Sequence, residues 1–376
     1  MANTLTGLIP TIYDALNVVS RELVGFIPAV SRDAQAAQAA VNQTVRSPIV
    51  PAMTAVDIVP AAVSSSGADR SLSYVDLTLT KQRKVSFHLT GEQEVSLGPN
   101  NGTVARDSFA QAFRTLANEM EADLASLYYG ASRAYGTAGT TPFGTAGDLS
   151  DFAQVQNLDD NGAPLTGRQL VMGTTAMANI RGKQSVLFKF NEANTDELLR
   201  DGSVARVEGL DLHTSAQVKS VVKGTGSGYL INGAHAVGAT TVNVNTGTGT
   251  ILAGDVVTIA GDSNKYVVTS ALAAGAFTIA GPGLLVAQSG GQAVTVGNNY
   301  VANMAFSRDA FVLATRTPAV PSSGDVADDR TVVQDPVSRL AFEASLYRQY
   351  RQISFEVGIV WGFQAVKPTH AALLLG

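Results

Sequence analysis

Residues 337–366 read VSRLAFEASLYRQYRQISFEVGIVWGFQAV, and this stretch decides how the chain is organised. Apolar residues alternate through its first half, at Leu340, Phe342, Ala344 and Leu346, and again through its second half. Successive side chains of a strand point to opposite faces, so the pattern predicts two long strands joined as one half-buried hairpin. A typical strand has about 5–6 residues. Strands this long therefore favour an extended, plate-like subunit over a compact enzyme core.

The composition indicates a globular protein and excludes several classes. Of 376 residues, 45% are hydrophobic and 15% are charged, so the chain can bury a sizeable core. The low charged fraction also predicts that other subunits cover much of the surface. A net charge of -5 provides no basic field for nucleic acid. The absence of cysteine excludes disulfides and thiolate sites and suits a reducing cytoplasm. No apolar run approaches the ~18 residues of a membrane span, and the N-terminus lacks the basic start of a secretory signal.

The N-terminal quarter of the chain predicts an arm followed by a long hairpin. Residues 1–50 first show apolar residues at helical spacing. The Ala/Gln-rich stretch 31–44 then predicts a weakly amphipathic helix, either packed on a neighbour or mobile. Residues 51–95 alternate as a hairpin with a small, polar tip at 62–70. A two-stranded ribbon is marginal alone, so we expect it to need a partner surface.

The helix with the strongest pattern covers residues 103–130. Apolar residues recur at helical spacing from Phe109 to Leu127, with Asp107 and Ser108 as candidate caps. At a rise of about 1.5 Å per residue, this predicts a rod of roughly 35 Å or more.

The remainder alternates strand and helix, with one interruption. Residues 168–221 and 299–329 share this mixed pattern, and the second range includes a predicted helix at 307–313. Residues 222–298 between them hold four charged residues and fifteen of the 36 glycines. Val, Thr and Gly dominate there, and Gly-centred turns recur about every 8–12 residues. This composition predicts a small all-β barrel or sandwich, inserted into the mixed region and able to fold largely by itself.

No motif predicts catalysis, a cofactor or a metal site, and we expect a non-enzymatic protein. The four histidines lie at no metal-ligand spacing. The run GTGSG at 224–228 resembles a phosphate loop but lacks the following Gly-Lys-Ser/Thr, and is interpreted as a hinge. Adjacent aspartates at 159–160 and 328–329 could hold calcium, but neighbouring side chains of an extended loop point apart, so metal binding is the less favoured interpretation.

Charged side chains on the two hairpins are candidate contacts between subunits. The basic cluster that interrupts the first hairpin could touch phosphate, but one half of an inter-subunit ion-pair set is the preferred interpretation. Two further candidates lie at the tip of that hairpin, and two arginines at the turn of the C-terminal hairpin are suited to pairing with carboxylates. The candidates are Lys81, Arg83, Lys84, Asp69, Arg70, Arg348 and Arg351.

The order of these elements resembles the major capsid (coat) proteins of tailed bacteriophages, which have the α+β Hong Kong 97-type fold. The C-terminal run VWGFQAVKPTHAA at 360–372 is similar to the ending of that family. The runs AGDVVTIAG at 253–261 and NKYVVTS at 264–270 are similar to the inserted β-barrel of short-tailed Salmonella phage coat proteins. The resemblance implies an N-terminal arm at 1–50, an extended loop hairpin at 51–95, a peripheral domain at 96–167 and 330–366 with spine helix 103–130, an axial domain at 168–221, 299–329 and 367–376, and an inserted barrel at 222–298.

The resemblance also implies a function and partners. Such a protein self-assembles as hexamers and pentamers into an icosahedral shell around double-stranded DNA, which it contacts non-specifically. Assembly occurs in the host bacterial cytoplasm, with a scaffolding protein and a portal as partners and no membrane. Because the loop tip at 62–70 has no lysine, covalent cross-linking of subunits is not expected. Three alternatives remain open: an encapsulin-type bacterial nanocompartment shell, a surface β-domain binding protein, and an unrecognised hydrolase.

Overall fold

The computed structural model of the chain describes residues 9–16, 25–49, 55, 73–97, 101–183, 206–334 and 340–376. These residues form a mixed α+β protein with two main sheets, a two-stranded ribbon and one long helix. The helices are α1 (residues 9–16), α2 (Phe26–Ala29), α3 (Gly91–Leu97), α4 (Asn101–Ala125), α5 (Val155–Asp160) and α6 (Thr174–Lys183). Short 3₁₀ turns cover Ser126–Gly130, Ser150–Gln154, Arg308–Ala310 and Pro368–His370.

The strands, numbered along the chain, are β1 (Ser31–Ala39), β2 (Thr44–Ile49), β3 (Ser73–Thr78), β4 (Lys81–Thr90), β5 (Arg133–Tyr135), β6 (Arg168–Met172), β7 (Arg206–Val207), β8 (Leu210–Thr214), β9 (Ser220–Val221), β10 (Tyr229–Ile231), β11 (Thr241–Asn245), β12 (Val256–Ile259), β13 (Lys265–Ala273), β14 (Ala276–Ile279), β15 (Ala293–Val296), β16 (Tyr300–Ser307), β17 (Phe311–Pro318), β18 (Asp329–Gln334), β19 (Ala341–Gln349), β20 (Gln352–Ala365) and β21 (Ala371–Leu375).

The first sheet is organised around β20. Its strands follow the order β1-β17-β20-β19-β18, and β4 also pairs with β20. Strand β19 pairs with β20 from Glu343 opposite Gly358 to Gln349 opposite Gln352, which confirms the predicted C-terminal hairpin. The prediction of a half-buried hairpin is wrong over 341–346, where every residue is buried. Both faces of this part of β19 are therefore covered.

Helix α4 packs its apolar stripe on this sheet. Phe109 contacts Phe87 of β4 and Phe355 of β20, with ring centroids 5.0 and 5.4 Å apart. The helix begins at Asn101, so the prediction that Asp107 and Ser108 cap it is wrong. The Ser108 hydroxyl instead donates to the carbonyl of Val104, 2.8 Å away, inside the helix. Beyond Ala125 the helix continues as a 3₁₀ turn, which ends at Gly130.

The N-terminal segment belongs to the body of its own chain. The side chains of Ile12 and Leu16 in α1, and of Phe26 and Ile27 in α2, are buried in the main core with α4. Residues 31–39 form a strand parallel to β17, so the helix predicted at 31–44 is wrong. Pairing with β17 overrides the helix propensity of the alanines in this stretch.

The predicted first hairpin divides into two parts. Strand β2 pairs with β3, from Thr44 opposite Thr78 to Ile49 opposite Ser73, so the ribbon begins inside the range assigned to the arm. Strand β4 follows β3 along the chain but is not part of the ribbon, and it pairs with β20 over ten residue pairs. The rest of the predicted ascending strand and the tip at 62–70 lie outside the described residues, apart from residue 55.

The second sheet contains a closed ring of six antiparallel strands between residues 229 and 296. The order is β12-β15-β10-β11-β14-β13, and β13 pairs back to β12. Buried side chains such as Val242, Val257 and Phe277 fill the interior. Strand β13 also pairs with β5, and the sheet continues from β5 through β21, β16, β6, β8 and β7. The expectation of a largely independent unit is therefore too simple, because the ring and the body share one continuous sheet.

The segment after the ring differs from its predicted structure. The helix expected at 307–313 is only a 3₁₀ turn at Arg308–Ala310, and β17 follows it directly. The family resemblance implies that 299–329 belongs to one axial domain, but β16 lies in the second sheet and β17 in the first. The described part of the chain contains no helix long and apolar enough to span a membrane.

Candidate assembly surfaces

The ribbon β2–β3 leaves the body where it crosses β20. Thr80 donates its backbone N–H to the carbonyl of Trp361 at 3.1 Å. A Cβ on Gly362 would stand 2.2 Å from the carbonyl oxygen of Thr78 and 2.9 Å from the Cα of Leu79. No side chain fits in that space, so position 362 of β20 requires glycine. The position of this glycine in β20 determines where the end of the ribbon can cross the strand.

The ribbon carries its own ion pair and one exposed aromatic ring. Arg46 makes two hydrogen bonds to Asp76, of 2.7 and 3.1 Å, which hold the pKa of Asp76 below its ordinary value. The same guanidinium lies 5.3 Å from the ring centre of Tyr74, whose side chain is 52% exposed. Among the described strands, β2 and β3 pair only with each other. One face of the ribbon packs on the body, because Leu77 of β3 is buried together with Ala314 and Val360. The other face, which carries Arg46, Tyr74 and Asp76, is exposed.

The predicted contact residues Lys81 and Arg83 have partners within the chain. Lys81 Nζ lies 2.7 Å from Asp123 and 3.4 Å from Glu119 on α4, and Arg83 Nε lies 3.1 Å from Glu119. Burial alone would lower the pKa of Lys81, but the hydrogen bonds and charges of Asp123 and Glu119 raise it. Asp123 also accepts a 2.9 Å hydrogen bond from the indole of Trp361. This cluster joins β4 and β20 to the long helix.

Lys84 likewise pairs within the chain, with Glu356 of β20 at 2.8 Å, and this hydrogen bond raises the pKa of Lys84. The side chains of Arg83 and Lys84 remain 57% and 63% exposed. Exposed ion pairs contribute about 0–1 kcal/mol, so these side chains can exchange partners at little cost. Their contact with another subunit stays a prediction.

The turn of the C-terminal hairpin places the other two predicted arginines at the surface. Arg348 Nε lies 3.2 Å from Asp328. Arg351 occupies the left-handed region, with φ 57°, and its guanidinium carbon lies 5.9 Å from the ring centre of Tyr350. Tyr350 is 89% exposed and lines, together with α3, a groove of about 630 Å³. The last two candidates, at positions 69 and 70, lie outside the described residues.

A buried carboxylate joins the N-terminal segment to the long helix. Glu121 of α4 accepts hydrogen bonds from the backbone N–H of Phe26 at 3.0 Å, the N–H of Ile27 at 2.7 Å and the hydroxyl of Ser215 at 2.9 Å. Burial raises the pKa of Glu121, while these three bonds act in the opposite direction. Gly25 has φ 131° and leaves no room for a Cβ beside Ser215. Three separate parts of the chain therefore meet at one side chain.

Two tyrosines fix the strand ring to the body. The hydroxyl of Tyr300 donates to the carbonyl of Gly254 at 2.5 Å, and burial raises its pKa. A Cβ on Gly254 would stand 2.5 Å from the hydroxyl oxygen of Tyr128, which follows α4. Lys265 also donates to the carbonyl of Gly136 across the β13–β5 pairing. The ring is thus attached at a strand pair and at a tightly packed loop.

The adjacent aspartates bind arginines. Asp159 pairs with the buried Arg168 at 2.6 Å, and Asp160 pairs with the buried Arg133 at 2.8 Å. Among the described residues there is no group of three or more acidic, His or Cys side chains that could hold a metal ion. The calcium interpretation of 159–160 is therefore not supported by their geometry.

The glycine-rich run at 224–228 has a structural role. Gly224 donates its N–H to both carboxylate oxygens of Asp255, at 3.0 and 3.1 Å. A Cβ on Gly224 would stand 2.2 Å from the carbonyl oxygen of Thr250. Glycine is needed here for close backbone packing at the entry to the strand ring, and the hinge interpretation of this run stays a prediction.

The sequence patterns also missed Glu343 of β19, which is a buried glutamate. Arg330 of β18 lies 3.0 Å from Glu343 and 2.7 Å from Asp325, and Tyr347 donates to Asp325 at 2.9 Å. Burial raises the pKa of Glu343. A glutamate among the apolar alternation of 340–346 was a visible sign of an internal ion pair. Its partner could not be read from the sequence, because Arg330 reaches it through strand pairing.

No protein-family model and no curated protein matches the chain. Several solved structures are similar to it at low identity. A capsid structure of Cyanophage P-SCSP1u has a TM-score of 0.48 and 11% identity, covering 92% of this chain and 86% of that chain. The asymmetric unit of the bacteriophage PhiM1 mature capsid has 0.48 and 10%, covering 93% and 86%. A virus-like particle from Pyrococcus furiosus has 0.44 and 10%, covering 97% and 98%. With identities and TM-scores this low, none of these structures identifies the chain.

Proposed function

We propose that this chain is the major capsid protein of a tailed bacteriophage. Copies of it assemble into an icosahedral shell of hexamers and pentamers around a double-stranded DNA genome. The role is structural, and the partners in this proposal are other copies of the chain, a scaffolding protein, a portal and non-specifically packaged DNA. Assembly takes place in the host cytoplasm, and the product is the virion capsid.

The ribbon β2–β3 carries this proposal. It begins at a glycine crossing on β20, and within the described residues it pairs with neither main sheet. One face packs on the body, and the face with Arg46, Tyr74 and Asp76 is exposed. A two-stranded ribbon gains stability when another surface covers it. In a shell, the neighbouring copy supplies that surface at every position.

The physical basis of assembly is repetition of moderate contacts. A standard interface buries roughly 1,600 Å² and is not individually overwhelming. Each subunit in a closed lattice touches several neighbours, so the contacts reinforce one another in the manner of multivalent binding. Weak single contacts also allow misplaced subunits to dissociate during growth.

In this proposal the parts follow the layout that the family resemblance implies, with changes that the strand pairing supports. The extended loop includes β2, which pairs with β3, and β4 and β17 belong to the peripheral sheet because both pair with β20. Otherwise 1–50 is the arm, 51–95 the extended loop, 96–167 and 330–366 the peripheral domain, 168–221 with 299–307 and 367–376 the axial domain, and 222–298 the insertion. Helix α4 is the spine that joins the peripheral sheet to the N-terminal segment through the contacts of Lys81 and Glu121.

Negative-stain electron microscopy with sedimentation velocity tests the proposal. The full chain is expressed alone and together with the gene products encoded beside it. We expect closed particles of uniform size in at least one of these preparations. A chain that sediments as a folded monomer in every preparation would refute the proposal. Particles that enclose a protein cargo and never DNA in infected cells would favour a nanocompartment shell instead.

A further inference from the structure

The sequence contains three Asn-Gly pairs, at 101–102, 161–162 and 232–233. An asparagine followed by glycine is chemically labile, because glycine has no Cβ to keep its backbone nitrogen away from the preceding carboxamide. Whether a given pair reacts depends on how the fold holds these two groups. The first pair lies in the first turn of α4, while the other two lie outside helices and strands and can be compared directly.

Hydrogen bonds hold both reacting groups of the pair at 161–162. The carboxamide Nδ2 of Asn161 donates to the hydroxyl of Ser132 at 3.0 Å and to the carbonyl of Thr369 at 2.7 Å. The N–H of Gly162 donates to the carbonyl of Asp159 at 2.9 Å. The carboxamide and the backbone nitrogen therefore have other partners, and a reaction between them would require these bonds to break.

The same two groups are free at 232–233, which follows β10 in the strand ring. Both residues are exposed, and within the described ranges neither the carboxamide of Asn232 nor the N–H of Gly233 makes a hydrogen bond. Gly233 lies in the left-handed region, with φ 82°, and no atom beyond its chain neighbours stands within 4 Å of the position that a Cβ would take. Solvent therefore reaches the backbone nitrogen, and the Asn232 side chain has room to turn towards it.

The backbone on either side of this pair is fixed. The N–H of Asn232 donates to the carbonyl of Asn243 at 2.8 Å. The Nε2 atom of His235 accepts from the N–H of Asn243 at 3.0 Å, so the proton of the neutral ring lies on Nδ1, which donates to the carbonyl of Gly233 at 3.2 Å. The pair is thus a short open segment between two attached points, and a change in its backbone length would disturb both.

We propose that Asn232 is a site of spontaneous deamidation. The backbone nitrogen of Gly233 loses its proton to the solvent and bonds to Cγ of Asn232, while the Cγ–Nδ2 bond breaks and Nδ2 takes up a proton and leaves as ammonia. Water then opens the resulting succinimide. Cleavage between the Gly233 nitrogen and Cγ gives aspartate, and cleavage between that nitrogen and the Asn232 carbonyl carbon gives isoaspartate, which has an extra carbon in the main chain. Both products add a negative charge to the surface of the ring. This reaction is independent of the proposed shell function.

Peptide mapping by mass spectrometry tests the site on the full chain. The folded chain is incubated in mildly alkaline water enriched in heavy oxygen and digested in ordinary water, so the label marks deamidation that precedes digestion. We expect Asn232 to react at least about tenfold faster than Asn161, because only the groups at 161–162 are held. In urea we expect the two rates to agree within about threefold, because these contacts are lost. Equal rates in the folded chain, or no reaction at Asn232, would overturn the proposal. A ratio that is equally large in urea would overturn the role of the fold.

A pair of variants provides an independent readout by isoelectric focusing. Asn232→Gln keeps a carboxamide at this position, but its longer side chain does not form a succinimide. Asn245→Gln makes the same change at an exposed position of β11 in the ring. We expect the earliest acidic form of the folded chain to be missing from Asn232→Gln and to persist in Asn245→Gln. Its persistence in Asn232→Gln would contradict the proposal, and if that variant does not fold, the peptide map of the unsubstituted chain decides.

Discussion

Glu121 should contribute more to stability than any exposed acidic residue on the long helix. Glu121→Ala removes the shared acceptor of three buried donors, the N–H groups of Phe26 and Ile27 and the hydroxyl of Ser215. An orphaned buried donor costs about 1–3 kcal/mol. Part of that loss is offset because the variant no longer buries a carboxylate, whose raised pKa shows the cost of its burial. We therefore expect a net loss of about 2–4 kcal/mol.

Urea unfolding followed by tryptophan fluorescence measures this loss. Trp361 is the only tryptophan, and it is buried in the same core cluster as Phe26. The matched control is Glu119→Ala, two positions earlier on the helix, where the carboxylate binds partly exposed cations and its loss should cost less than about 1 kcal/mol. Equal losses for the two variants would refute the reasoning.

Glu121→Gln adds a test of the protonation state. Its amide keeps one acceptor oxygen, so the expected loss is about 1–2 kcal/mol. The raised pKa of Glu121 means that the folded protein holds this proton above the unfolded pKa of 4.5. Protonation of Glu121 therefore adds to the free energy of unfolding at low pH, and this contribution is lost as the pH rises through the folded pKa. The penalty of Glu121→Gln should therefore shrink over that interval, and a penalty independent of pH would contradict the assignment.

Three further predictions concern the ribbon crossing, the strand ring and the exposed ion pairs. Gly362→Ala places a methyl group 2.2 Å from the carbonyl of Thr78 and should cost about 1–3 kcal/mol in urea unfolding; an unchanged midpoint would show that the crossing is not tight. Burial and the hydrogen bond to Asp262 raise the pKa of Tyr266 to about 12, so the free energy of unfolding should fall as the pH rises from 10 to 12. In an ultraviolet titration, the absorbance change of a phenol that ionises near pH 12 should be missing from Tyr266→Phe. Lys84→Ala should change the unfolding free energy by less than about 1 kcal/mol, so a large loss of assembly in this variant would assign Lys84 to an inter-subunit contact.

The fold could be read from the sequence where one pattern dominated. The alternation of 340–365 and the stripe of 103–130 fixed the hairpin and the helix, because both patterns are long. The helix prediction for residues 31–39 was wrong because Ala and Gln favour a helix locally, while pairing with β17 makes this segment a strand. The error at 307–313 has the same origin, since β17 is set by six residue pairs with β20. Long-range pairing is the information that the local pattern lacks.

For the candidate contact residues, too, the local pattern was visible in the sequence and the long-range partners were not. That Lys81 and Arg348 are charged positions on hairpins was visible in the sequence. That Lys81 binds Asp123, 42 positions away, follows from the packing of α4 across β4 and β20. Glu121 lies four positions after the buried Ala117 on α4, so a charge beside the apolar stripe was visible, but its donors come from Phe26 and Ser215, nearly a hundred residues away on either side.

The strand ring at 229–296 cannot be treated as a detachable module. Lys265 and Tyr266 of β13 pair with Ala134 and Arg133 of β5, so excising the ring would remove a strand partner of the body. It would also remove the Gly254 loop that packs against the body. Loss of assembly after such a deletion would report damage to the body as readily as loss of a contact made by the ring. Contacts of the ring are better tested by substitution on β11, where exposed Thr and Asn residues alternate with buried valines. Changes at those outward positions leave the interior packing intact, so an assembly defect there would belong to the ring's surface.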